Sequence, residues 1–99
     1  MTPSARRPER PDPRALETRR APEGLAPRRT VDALGLYCPV PIIKTADAIS
    51  RIASGDVLEV LSDDRVVLID MPAWCVSTRH EYLGFREDGP GWRLYVRKR

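Results

Sequence analysis

A cysteine stands directly before a proline at Cys38-Pro39, and a helical pattern of apolar residues begins straight after it. Proline disfavours helical dihedrals in the residue before it, which puts Cys38 in the N-cap position. Pro39 then takes the first helical position, where its missing N–H is no loss, and Pro41 takes the third. Of these three positions only Val40 keeps an N–H, and it is expected to point back toward the sulfur. A thiol so placed feels the positive end of the helix dipole, which predicts a lowered pKa and a raised thiolate fraction. These residues predict a nucleophilic cysteine that needs no histidine beside it.

The other candidates are weaker. Cys75 falls mid-helix between Trp74 and Val76. With neither a helix N-terminus nor a neighbouring base, it reads as a packing residue. A Cys38–Cys75 disulfide would need a proximity that sequence does not supply. His80 lies off the i,i+4 face of Cys75, so no helix-borne metal pair is expected and the histidine reads as a cap or a surface group.

The elements that must hold Cys38 follow from periodicity. Thr30 to Leu34 reads as a first strand closed by Gly35, and Pro39 to Ser54 as a helix with Ile42, Ala46, Ile49 and Ala53 on one face and Gly55 as its C-cap. Val57 to Leu61 is a second, interior strand. Ser62-Asp63-Asp64 offers turn and N-cap chemistry for a second helical region, which Pro72 is expected to break near Asp70-Met71. Glu81 to Glu87 alternates, with Leu83 and Phe85 predicted on one face and Tyr82 and Arg86 on the other. Asp88-Gly89-Pro90-Gly91 is a turn, and Trp92, Leu94 and Val96 face the core from the last strand. The order is βαβαββ, an α+β two-layer sandwich with two helices on one face of a four-stranded mixed sheet.

Composition separates this domain, residues 30–99, from what precedes it. Residues 1–29 hold eight of the seventeen basic side chains and six of the ten prolines. Leu16 and Leu25 are their only large apolar residues beyond Met1, so the stretch reads as a disordered Pro/Arg-rich tail. Its net charge is +4 against −1 for residues 30–99, so the basic character belongs to the tail. A nucleic-acid binder would carry its basic patch on the fold, so direct nucleic-acid binding is not expected. The sequence lacks the apolar core of a signal peptide and any stretch of roughly 20 apolar residues that would span a membrane. Two cysteines are too few for a disulfide framework. A cytoplasmic protein is expected.

Asp32-x-x-Gly35-Leu36-x-Cys38-Pro39-x-Pro41 resembles the CPxP signature of the TusA/SirA-like sulfur carrier proteins. Gly55-Asp56-x-Leu58, Asp63-Asp64, Asp70-Met71-Pro72-Ala73-Trp74-Cys75, His80-Glu81 and Arg97-Lys98 continue the resemblance in the same order. Leu34 stands where many members carry an arginine or another polar residue. The resemblance implies a sandwich similar to the C-terminal domain of translation initiation factor 3. It also implies a carrier rather than a stand-alone catalyst, with sulfane sulfur held as a persulfide on Cys38 and no metal or organic cofactor. Gly35, Pro39, Val40 and Pro41 would shape the loop, and Asp32 would either bond loop N–H groups or stay exposed. Asp70 and Pro72 either bound a kink that helps present the sulfur, or Pro72 merely starts a helical segment. The implied partners are a cysteine desulfurase or rhodanese-like donor and an acceptor protein in tRNA thiolation, molybdenum-cofactor maturation or sulfur metabolism. A lone cysteine without a resolving CxxC partner suits relay better than disulfide reduction.

Two rival readings use the same residues. Cys38-Pro39-Val40 also looks like a haem-regulatory Cys-Pro motif with thiolate ligation of iron. The arginine-rich tail could alternatively make the protein a nucleic-acid-associated regulator, through a salt-sensitive hold on RNA or DNA.

Overall fold

The computed structural model describes residues 11–99. Its elements are α1 (Pro13–Leu16), β1 (Arg29–Asp32), α2 (Val40–Ile49), β2 (Val57–Ser62), α3 (Val67–Thr78), β3 (Glu81–Asp88) and β4 (Gly91–Arg97). After α1 this is the expected βαβαββ order. The sheet runs β1-β2-β4-β3, with β1 parallel to β2 and the other two pairings antiparallel. Alternation decides the inner face. Leu58 and Val60 of β2 lie opposite Val96 and Leu94 of β4, and all four are fully buried. From α3, Val67, Met71 and Cys75 recur every four residues and reach the same core, joined by Ala48 and Ile49 of α2. Burying each such side chain contributes about 1.5–3 kcal/mol.

Three local expectations need correction. α3 is continuous through Pro72 rather than broken near Asp70-Met71. The lost bond to the Leu68 carbonyl is offset by packing, since Met71, Pro72 and Cys75 are all buried. α2 stops at Ile49, well short of Ser54. Tighter bonds from Arg51 N–H to Ala48 and from Ile52 N–H to Ile49 carry the chain on. Gly55 is therefore not a helix cap; at φ +92° it donates its N–H to the Lys98 carbonyl at 2.7 Å and ties the turn to the end of β4. On β3 the register shifts between Tyr82 and Gly84, so Leu83 is an extra, bulged residue. The bulge reverses the face assignment: Tyr82 and Phe85 share the inner core, and Leu83 turns to the opposite face.

That opposite face is not bare. Leu83, Val57 and Tyr95 are covered by Ala21, with Leu25 packed against them. Leu16 of α1 enters the main core beside α3 at 6% exposure. Between these contacts the chain crosses the β3 edge. Phe85 N–H donates to the Arg19 carbonyl and Ala21 N–H to the Phe85 carbonyl, a short parallel bridge. Gly84 permits the approach, because a Cβ there would lie 2.6 Å from Ala21 N and Arg20 C. Residues 11–28 therefore form an arm folded onto the sheet, which corrects the expectation of disorder over that part of the tail. Residues 1–10 of the expected tail lie outside the described residues. The apolar count had suggested too little burial; Leu16, Ala21 and Leu25 suffice because the sheet offers them a preformed surface.

Candidate functional site

β1 and β2 end side by side because they are parallel, and the chain leaves both at the same border of the sheet. The Cys38 loop follows β1, and Asp63-Asp64 follows β2. This crossing of sequence-distant segments fixes the loop. Asp32 accepts from Leu34 N–H at 3.0 Å, Asp63 from Gly35 N–H at 3.0 Å, and Asp64 from Cys38 N–H at 2.8 Å. Gly35 adopts φ +78°, a conformation that costs a residue with a Cβ about 1–2 kcal/mol. Asp64 also accepts the Val66 N–H, so one carboxylate anchors both the thiol loop and the entry to α3.

The expected helix-cap geometry of Cys38 is not found. The Cys38–Pro39 peptide bond is cis, and Pro39, not Cys38, occupies the N-cap of α2. Its carbonyl accepts from Ile42 and Ile43 N–H. Val40 N–H donates to the Tyr37 carbonyl at 2.9 Å rather than pointing at the sulfur. Pro41 is fully buried, and its carbonyl accepts the Thr45 hydroxyl at 2.8 Å. The prolines therefore shape and anchor the turn but do not activate the thiol.

The electrostatics are likewise opposite to the expectation. The half-buried Cys38 thiol donates to Asp70 Oδ2 from the first turn of α3. Burial pushes its pKa up, and the hydrogen bond to Asp70 and the charges of Asp70 and Asp64 push it further, to about 11. The resting sulfur is a protonated thiol held by a carboxylate that can take its proton. Asp70 is thus brought to the thiol by a helix that continues through the buried Pro72. Asp63 and Asp64, expected as turn and N-cap chemistry for α3, also hold the thiol loop. The sequence signal for their role was two adjacent carboxylates at the carboxyl end of a strand parallel to β1.

Six large apolar side chains are exposed among the described residues: Leu34, Tyr37, Val40, Ile43, Val66 and Ile69. All belong to the thiol loop, the start of α2 or the start of α3, so they form a collar around Cys38. Exposed apolar side chains gathered at one end of a fold mark a contact site.

The remaining candidates lie elsewhere. Cys75 is a free, fully buried thiol whose pKa burial pushes up to about 12. It packs in the core as expected, and no disulfide joins it to Cys38. His80 stacks on Trp74 with ring centroids 5.5 Å apart, and its Nδ1 accepts the Arg99 N–H.

Comparison with known proteins bears on the domain as a whole. The family model described as "Sulfurtransferase TusA" matches residues 29–98. A Bacillus subtilis (strain 168) protein named "Putative sulfur carrier protein YrkF" is 43% identical over 68 residues, 69% of this chain. The aligned part spans 37% of that protein's length. A crystal structure of a SirA-like protein from Desulfitobacterium hafniense superposes with a TM-score of 0.63 at 22% identity. That match covers 70% of this chain and 95% of the other, and it establishes a shared fold.

Proposed function

This chain belongs to the TusA sulfurtransferase family, and on that premise we propose that it is a sulfur carrier whose Cys38 is loaded as a persulfide. The observation that carries the reading is the Cys38 thiol hydrogen-bonded to Asp70 inside an exposed apolar collar. In loading, the Cys38 proton passes to the Asp70 carboxylate as Sγ attacks the outer sulfur of a donor persulfide. The new S–S bond forms on Cys38, the donor's S–S bond breaks, and the donor cysteine leaves as a thiolate that takes up a proton. The sulfane sulfur keeps its oxidation level, so no redox partner is consumed. In delivery an acceptor thiolate attacks the outer sulfur, the S–S bond to Cys38 breaks, and a proton returns to Cys38 Sγ by way of Asp70. The exchange needs a leaving group no more basic than necessary. A proton donor in contact with Sγ supplies that.

The collar supports the same reading, because transfer between two proteins requires their sulfur atoms to meet within an interface that excludes water. A cysteine desulfurase or a rhodanese-like protein is the class of donor, and a cysteine-bearing protein the class of acceptor. Incubation of the full chain with a desulfurase and cysteine is expected to add one sulfur to the peptide containing Cys38, read by mass spectrometry. Cys75, buried and remote from a base, serves as the internal control. Equal sulfur uptake by Cys38→Ser would overturn the proposal.

A further inference from the structure

A second concavity lies at the far end of α3 from the thiol. α3 has twelve residues, which at 1.5 Å per residue separates its ends by about 18 Å. The cavity has a volume of about 260 Å³. One wall comes from the arm, through Pro11, Leu16 and Arg19, and the other from the end of α3 and the start of β3. The arm residues lie outside the stretch that matches the family.

Two observations give this cavity a chemical preference. First, Tyr82 lines it, is 2% exposed, and its hydroxyl has no hydrogen-bond partner among the described residues. A buried hydroxyl without a partner is uncommon and costly, so a ligand atom that accepts from it is favoured. Second, three arginines line the cavity, Arg19, Arg79 and Arg99, and Arg19 also donates to the Tyr82 carbonyl at 3.4 Å. The one acidic side chain in the lining among the described residues, Glu81, is already engaged by Arg97 at 3.0 Å. Burial first, and then the charges of Lys98 and Arg99, hold His80 in the same lining below its ordinary pKa. The rest of the lining, Leu16, Cys75 and Val76, is apolar.

We propose that this cavity binds a small organic oxyanion, a carboxylate or sulfonate on a compact apolar body. Its oxygens would accept from the Tyr82 hydroxyl and pair with the arginines, while Leu16 and Val76 pack on the body. The site is separate from the thiol and independent of the sulfur-carrier reading.

The test is a titration of the full-length ¹⁵N-labelled protein with benzoate, with benzamide as the neutral isostere. Benzoate is expected to give saturable shifts in the amides of residues 16–19 and 75–82 and none around Cys38. Benzamide keeps an acceptor oxygen but lacks the charge and should bind at least about tenfold more weakly. Arg79→Gln with Arg99→Gln should weaken benzoate by about tenfold or more, and Tyr82→Phe by several-fold. Absence of saturation at millimolar benzoate, or equal binding of benzamide, overturns the proposal. Because the isostere comparison uses the unaltered protein, the outcome does not depend on how well the variants fold.

Discussion

The Cys38 thiol and the Asp70 carboxylate are hydrogen-bonded across 32 positions of sequence, one on the loop after β1 and the other in the first turn of α3. The contact makes the resting thiol a weak acid and gives it a local base. These two effects oppose each other in different assays, so one substitution separates them.

Asp70→Asn should bring the Cys38 pKa down from about 11 toward the ordinary thiol value. At about pH 8 the thiolate fraction, and with it alkylation by iodoacetamide, should rise by up to roughly tenfold per pKa unit recovered. Sulfur uptake from a desulfurase should fall, because the proton acceptor is gone. Alkylation against pH for both proteins, beside a persulfide time course, checks the pair of outcomes.

Ile43→Gln and Ile69→Gln alter the collar without touching the thiol's hydrogen bonds. Both side chains are more than half exposed, so stability should change by only about 0.5 kcal/mol. Iodoacetamide reactivity should stay constant, while transfer from a protein donor drops by roughly tenfold through lost contact. A steady-state titration with donor should place the loss in affinity.

Glu59 makes the outer face of the sheet sensitive to acid. Burial alone would raise its pKa, but hydrogen bonds from Tyr95, Thr30 and Arg93 outweigh burial and hold it below 4.5. Its stabilising contribution is complete above that value and is lost as pH falls through the depressed pKa. Urea midpoints measured downward from about pH 6 should fall in that acid range, and Glu59→Gln should flatten the decline. Near pH 7 the variant should cost about 1–3 kcal/mol, since Gln cannot replace the carboxylate for all three donors.

Gly84→Ala should release the arm. The glycine sits at φ +121°, and an added Cβ would lie 2.8 Å from the Arg19 carbonyl oxygen and nearer still to Ala21 N. A loss of about 1–3 kcal/mol is expected from strain alone. Trypsin should then cut after Arg19 or Arg20 faster than in the unaltered protein, while the Cys38 loop keeps its alkylation rate.

The parts of this molecule that sequence made legible are those set by local periodicity. β2, β4 and the inward set of Leu94 and Val96 follow from alternation, and the presence of α2 from its apolar content, but its buried face is Pro41, Thr45, Ala48 and Ile49, with the expected Ala46 and Ala53 exposed. What escaped was governed by distant neighbours. The one-residue bulge at Leu83 brought Tyr82 and Phe85 onto one face and sent Leu83 to the other, and nothing between Glu81 and Glu87 announces it. Pro72 marked a break only as long as its burial against the sheet was unknown. The thiol pKa runs opposite to the expectation because burial first, and then Asp70 and Asp64, 32 and 26 positions away, push it up, while the prolines place the helix N-terminus elsewhere. Cys38 itself, its prolines and Asp70 were all legible; their electrostatic relationship was not.

The arm along β3 also bears on self-association. A four-stranded open sheet has two borders, each a row of unsatisfied amides on which another chain could build. In this protein the longer border, at β3, is partly occupied from Arg19 to Ala21. The other, at β1, is only four residues long and carries Arg29 and Asp32 at its ends. Neither offers a long, flat, uncharged template for strand addition. Among the described residues the large exposed apolar side chains are thus confined to the end of the molecule where, on the proposal above, sulfur is exchanged.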